Sequence, residues 1–415
     1  MQRTKLREVR GTKDLFGNEL YKFQYIQHLA QTIASRYGFI PVDTPIIEFT
    51  EVFTKLGDTS DIVTKEMYNF KDKGGEDITL RPEFTSAIVR LLISKNLAVP
   101  VRLFSSGPVF RYERPQKCRQ RQFHQINFEF FGSDSPIADV EMISLGYNIL
   151  SELKLLDCVK LEINFLGDRE TIDSYKVHLV EYLSKYKNDL SKDSQHRLIV
   201  NPLRILDSKA PEDREILLNA PSISRFYSQI SKRFFKEVLD GLDSLSIHYV
   251  VNHNIVRGLD YYCNTVFEFT TSELGSQNAV IAGGRYDGLV KSMGGNDMPA
   301  IGFAAGLERL SALVDYEYKK PKNVVLIPIG DSARFYAVKL AYELRNEGIH
   351  VCWNNYKGSS LKNELRKAND ADIVLIFGDD ELQNNVVKVK DMKTGDQRDV
   401  IMCDLLDDLL PRMFT

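Results

Sequence analysis

Apolar positions along this chain switch between a helical and an extended rhythm. Over residues 18–37, Tyr21, Tyr25, Leu29 and Ile33 recur at helical spacing and predict an amphipathic helix. The next stretch, 38–48, changes to an extended pattern. Pro45 within it lacks an N–H and belongs at a strand edge or an interface. Residues 78–95 predict a short strand running into a helix, opened by Thr79-Leu-Arg-Pro-Glu-Phe-Thr85. Alternation with period two is strictest from 123 to 131. Phe123, Gln125, Asn127, Glu129 and Phe131 face one way, and His124, Ile126, Phe128 and Phe130 face the other. A strand with Gln and Glu on one face and apolar residues on the other suits the floor of a polar pocket. A further helix is expected over 136–153.

From about 167 to 230, Lys, Asp, Glu and Ser become dense and helical periods dominate, which predicts a helical insertion in a larger β-rich domain. Strand character returns at 248–252 and 265–269. The Gly-rich 282–288 follows, then a strand at 300–306 running into a helix near Leu307. Residues 315–322 form a charged, Pro-containing linker. Beyond it the order is β-α-β-α-β, with strands at 324–329, 349–353 and 373–377 and helices near 332–347 and 359–369. Such alternation predicts a small, largely parallel sheet faced by helices.

Composition narrows the class. The 415 residues, 43% apolar and 27% charged, are those of a globular protein of two or three domains. A net charge of −3 excludes a general polyanion binder, so nucleic-acid contact must rest on local basic patches. The charged start lacks an apolar signal region, and no run is long enough to span a bilayer. Five scattered cysteines without a Cys-x-x-Cys pair fit reduced thiols in a cytosol rather than a structural zinc site.

Several groups carry candidate chemistry. Between two strands, Arg111, Arg114, Lys117, Arg119 and Arg121 stand against one loop acid, Glu113. Guanidinium forks bind phosphate oxygens in pairs, so this loop suits a polyphosphate or a nucleic-acid end; a solvated basic face is the plainer alternative. Glu83, between Arg81 and Thr85, is either a helix-dipole partner or an acceptor for a substrate ammonium. Arg257-Gly-Leu-Asp-Tyr-Tyr262 offers a cation and two phenols on a turn that Gly258 tightens, or else a structural hairpin. Gly283-Gly-Arg-Tyr-Asp-Gly288 lacks the Walker pattern; it is either a phosphate loop or a strand where backbone nears a ligand. Gly302 and Gly306 leave room for a planar ring on which Arg309 can lie, or Arg309 can hold a phosphate. His124 is expected in the core, and no nucleophile pair or His-rich metal cluster is present.

Taken together, these pieces resemble the histidyl-tRNA synthetases, a family of class II aminoacyl-tRNA synthetases. The resemblance runs over nearly the whole chain. It covers Arg10-Gly-Thr-Lys-Asp14, the first class II motif ending at Pro45, Leu80-Arg-Pro-Glu83, and the second motif from Phe110-Arg-Tyr-Glu113 to Phe131-Gly132. It continues through Asn201–Lys209, Arg257–Tyr262 with Thr265-Val-Phe-Glu268, Ala282–Gly288, and the third motif Gly306-Leu-Glu-Arg309. Ile376–Glu381 and Val389–Met392 resemble the family's anticodon-binding domain. The implied fold is an α+β catalytic domain built on an antiparallel sheet, with a helical insertion and a C-terminal α/β anticodon-binding domain. The implied boundaries are 1–166 and 231–314 for the catalytic domain, 167–230 for the insertion, 315–322 for the linker and 323–415 for the last domain.

The resemblance also implies a two-step ligase reaction. L-histidine and ATP give histidyl-adenylate and pyrophosphate, and the histidyl group passes to the 3′ end of its tRNA. By motif match, Arg111 and Arg257 are the catalytic residues. Glu83, Thr85 and Gln125 take the ammonium, Glu129 and Tyr262 read the imidazole nitrogens with Tyr261 beside them, and Arg111 and Arg257 also border the histidine. Arg111, Glu113, Arg119 and Arg309 hold ATP. ATP enters as a substrate accompanied by Mg2+, with no structural metal. The protein is expected to be a cytoplasmic homodimer with the Pro45 region at its interface and no membrane contact. Two positions depart from the family pattern, Phe84 and Cys118, each where glycine is common. Phe84 is expected to repack the pocket roof, and Cys118 to remove a permissive backbone position. A non-catalytic regulatory paralogue and a class II synthetase for another amino acid are the competing readings.

Overall fold

The computed structural model describes residues 6–54, 62–257, 259, 261–275, 278–353, 360–414. Gly258 and Asp260 of the Arg257–Tyr262 motif lie outside the described residues, as does position 359 of the expected helix 359–369. The chain divides into two compact units, 1–317 and 318–415.

The first unit is built on an eight-stranded sheet in the order Ile40–Pro41, Val101–Phe110, Gln122–Phe131, Ala300–Gly306, Ala279–Arg285, Cys263–Thr270, Lys160–Phe165, Tyr249–Val251. Its interior pairings are antiparallel; the pairs at its two edges are parallel. One face is covered by the helices Asn18–Arg36, Pro136–Glu152 and Gln229–Ser244. Phe23, Ile33, Ile143 and Leu242 from these helices pack on Ile126, Phe128, Phe267, Ile281 and Phe303 from the strands. Helix Pro136–Glu152 starts where the sequence provides for it: the Ser135 hydroxyl accepts from Ile137 N, and Pro136 fills the first helical position. The opposite face of the same strands is left for the pocket.

The stretch 38–48 is not one strand. Ile40–Pro41 pairs with Leu103–Phe104 in the large sheet, whereas Ile47–Phe49 pairs with Ile78–Leu80 in a separate three-stranded sheet. Pro41 and Pro45 lack the N–H groups that a continuous ladder needs. The Gly-rich 282–288 is not a phosphate loop either. Residues 279–285 form an interior strand, and a side chain on Gly283 would meet Gly302 O at 2.2 Å. Arg285 is committed elsewhere: it is buried against Asp139 and donates to the Ser133 and Ser135 carbonyls.

The region after Phe165 is helical: Arg169–Ser184, Lys192–Val200 and Pro211–Leu217. Buried Asp213 organises it, accepting from Ser191 N and from the hydroxyls of Ser191, Ser194 and Ser208. These donors hold its pKa below the usual carboxylate value, against the effect of burial.

The second unit has a five-stranded sheet ordered His350–Trp353, Asn323–Pro328, Ile373–Phe377, Val386–Asp391, Gln397–Ile401. Its first three strands are parallel and the last two antiparallel, so the sheet is mixed rather than largely parallel. Ile373–Phe377 is buried throughout, as expected for a strand covered on both faces.

Candidate active site

The pocket lies on the open face of the large sheet. Its floor is set by register. Asn127 pairs with Ala304, Ala304 with Ala282, and Ala282 with Glu268, so one rung crosses four strands with two small residues at its centre. The next rung runs Glu129, Gly302, Gly284. A Cβ on Gly302 would overlap the Glu129 carboxylate, so glycine there makes the space into which that carboxylate leans.

Of the residues singled out for histidine, Glu83, Thr85, Gln125, Tyr261 and Tyr262 line the pocket. Gln125 Oε1 is buried with no hydrogen-bond partner among the described residues. Glu83 caps the turn that precedes helix Thr85–Ser94, its carboxylate accepting from Thr85 N at 2.6 Å and Ser86 N at 2.8 Å. Glu129 lies below these groups and is almost wholly covered. It accepts from Thr85 Oγ1 at 2.5 Å, from Asn127 Nδ2 at 2.8 Å and from the Tyr286 hydroxyl. Burial pushes its carboxyl up to about 7 even against those donors.

All the guanidinium groups expected at the nucleotide line the same pocket: Arg111, Arg119, Arg257 and Arg309. Arg111 is half-buried, and loss of hydration lowers its pKa; it donates Nε to Pro82 O at 2.9 Å. Arg309 donates to Ala279 O at 2.7 Å; burial first, then the charges of Arg111 and Arg119, lower its pKa. Arg119 pairs with Glu113, also in the lining, and lies 3.9 Å from Glu66. Burial works against the charge of Arg257, but Glu268, with which it pairs, and the two tyrosines outweigh it and raise its pKa. Arg257 Nε is buried without a hydrogen-bond partner among the described residues. Cations crowded this closely repel one another, and a bound polyanion relieves that repulsion.

Three expectations need correction. His124 is only partly in the core: its ring stands edge-on to buried Phe23 but is 28% exposed, and its backbone N–H and ring Nδ1 both meet Glu308, at 2.9–3.1 Å. Phe84 is not in the roof; it is fully buried beneath the turn, under the Arg81 guanidinium. Cys118 has not removed the permissive conformation, since its φ is +56°, which costs a non-glycine residue about 1 kcal/mol.

Sequence reasoning missed Glu66, Asn127, Tyr286 and Glu308. Asn127 was visible as part of the polar face of its strand, and Tyr286 lay inside a motif already singled out. Glu308 lay inside the third motif, although its partner His124 is distant in the chain, and nothing local marked Glu66.

The histidyl-tRNA synthetase family profile matches residues 11–172 and 183–310, and an anticodon-binding domain profile matches 323–410. The chain is 84% identical over 413 residues to the histidine–tRNA ligase of Ehrlichia ruminantium strain Gardel, covering 100% of both. It is 59% identical over 393 residues to that of Wolbachia pipientis from Culex pipiens, covering 94% of this chain and 96% of the relative. Among solved structures, apo histidyl-tRNA synthetase of S. aureus superposes with a TM-score of 0.81 at 32% identity, covering 97% of this chain and 99% of that one.

Proposed function

The chain belongs to the histidyl-tRNA synthetase family, and from that membership we propose how its pocket performs histidine–tRNA ligation. An oxygen of the histidine carboxylate attacks the α-phosphorus of ATP. The bond to the β-phosphate bridge breaks and pyrophosphate leaves. The terminal ribose hydroxyl of the tRNA then attacks the carbonyl carbon of histidyl-adenylate, and AMP leaves.

The observation that carries this reading is the convergence of Arg111, Arg119, Arg257 and Arg309 beside the unpartnered Gln125 Oε1. Arginines in that number suit a triphosphate, and an empty acceptor flanked by Glu83 suits an ammonium group. Arg257 and Arg111 are assigned to the α-phosphate, where negative charge develops in the transition state. Arg119 and Arg309 take the outer phosphates, with Arg309 also beside the adenine. Glu83, Thr85 and Gln125 take the ammonium.

Glu129 and Tyr262 are assigned to the two imidazole nitrogens, with Tyr261 alongside. A carboxylate has about four acceptor positions. Thr85, Asn127 and Tyr286 already fill three at Glu129, leaving one for an imidazole N–H. Tyr262, its pKa raised chiefly by burial, keeps its proton to donate to the other nitrogen. Apolar amino acids of similar size would leave these groups unpaired and are rejected for that reason.

Mg2+ enters with ATP. The phosphates would supply oxygen ligands to it, and Glu113 and Glu308 are carboxylates of the pocket lining that could add to them. The 323–410 domain is assigned to the anticodon of the tRNA for histidine. A homodimer is inferred through the segment around Pro45, where Ile40, Ile46, Ile47 and Phe49 are exposed. No described helix is long and apolar enough to cross a membrane; a cytoplasmic location is proposed from the family membership. The test is ATP–pyrophosphate exchange with each amino acid in turn, followed by tRNA charging. Exchange dependent on histidine alone is expected; absence of exchange would favour a regulatory paralogue.

A further inference from the structure

The turn Arg81–Thr85 is the mounting for much of the pocket. Pro82 O fixes Arg111 Nε, Glu83 faces the pocket while capping the turn, and Thr85 Oγ1 holds Glu129. What holds the turn itself is on its far side. Arg81 is 2% exposed. It donates Nε to Pro108 O at 2.9 Å and a terminal nitrogen to Thr44 O at 2.5 Å. Its guanidinium carbon lies 4.2 Å from the centroid of the Phe84 ring, which is fully buried. Gly107 completes the arrangement, because a Cβ there would stand 2.8 Å from an Arg81 terminal nitrogen and 3.5 Å from Phe84 Cζ. The nearest carboxylate, that of Asp43, is 3.6 Å away and mostly in water. The buried cation is thus held by two carbonyls, an aromatic face and the charge of Asp43.

We propose that Arg81 and Phe84 are positioning residues for the activation step: their stack presets the 81–85 turn, and through it Arg111 and the Thr85–Glu129 bond. This rests on the ligase reading above. The fully buried Phe84 ring braces the turn from its core side. Neither residue lines the pocket, so each acts through the groups it holds.

The test is steady-state ATP–pyrophosphate exchange with Phe84→Leu, Arg81→Lys and the double variant, alongside the wild-type chain. Leucine keeps apolar bulk without a π face, and lysine keeps charge without the planar fork. Each single variant is expected to lower kcat about tenfold or more, as misplacement of reacting groups does. KM for histidine should rise while KM for ATP stays within about twofold, a division that general loosening of the fold would not give. In the double variant the losses should not add, since both changes break one contact. Should Phe84→Leu fail to fold, Phe84→Met and Arg81→Lys carry the same test. Wild-type kcat in a folded Phe84 variant, or losses that add, would overturn the positioning role. Absence of histidine-dependent exchange in the wild type would instead sink the ligase reading.

Discussion

The hydroxyl of Tyr286, the residue that follows strand Ala279–Arg285, donates to Glu129 on strand Gln122–Phe131, and Tyr286 is itself fully buried. Its ring stands edge-on to Tyr261 at 5.6 Å. One phenol thus fixes the carboxylate assigned to the imidazole and supports a wall of the same pocket.

Tyr286→Phe removes a donor that favours the charged carboxylate, so the Glu129 pKa should rise beyond about 7. At neutral pH more of the variant would carry a protonated Glu129, and kcat/KM for histidine should fall by about 10- to 100-fold. The deficit relative to wild type should shrink between pH 7 and 8.5, because Glu129 then ionises in both. A pH series of exchange rates checks this; taking the ratio cancels the titration of free histidine. A ratio constant with pH would refute it.

Glu129 also links pH to stability. Its folded pKa of about 7 exceeds the ordinary 4.5, so between these values the folded state binds the proton that the unfolded state has lost. The stabilisation is therefore complete below about 4.5 and lost as pH rises to about 7. Glu129→Gln should flatten that part of the curve and weaken selectivity for histidine. Urea denaturation from pH 5 to 8 measures the first effect, and exchange with other amino acids the second.

Arg257→Ala should lower the activation rate by a factor of at least about 100, with KM for histidine changed by less than about threefold. The interaction strengthens as charge develops on the α-phosphate, so its loss falls on the transition state. Rapid-quench measurement of adenylate formation decides it, and an unchanged rate would remove Arg257 from the chemistry.

Arg285→Met should destabilise the first unit by about 3–5 kcal/mol, because it leaves the buried Asp139 carboxyl, already raised by burial to about 7 beside that cation, without its partner. Adding Asp139→Asn should restore part of that loss. Denaturant midpoints of the three variants provide the comparison, and a double variant no more stable than Arg285→Met would show the ion pair is not the reason.

Much of the site was legible as residue types in order. The alternation from 123 to 131 reports a strand with a polar face, and the loop arginines with Arg257 and Arg309 report an anion site, because both signals are local. Positions in space were less legible. Phe84 and His124 were hard to place because part of their surroundings, Gly107 and Glu308 respectively, comes from other elements. Arg119 shares its loop with Glu113 in the sequence, but only folding brings Glu66 within 3.9 Å of it.

The sequence alone determined the order of helices and strands, the polar face of the floor strand and the chemical inventory of the pocket, since these depend on residue type and on spacing within one element. Tertiary structure decided which groups meet. Strand register aligned Glu129 with Gly302, brought Ala304 and Ala282 into one rung, and turned Arg285 inward onto Asp139. Register and burial arise from pairing between distant segments, and burial then set the proton affinity of Glu129.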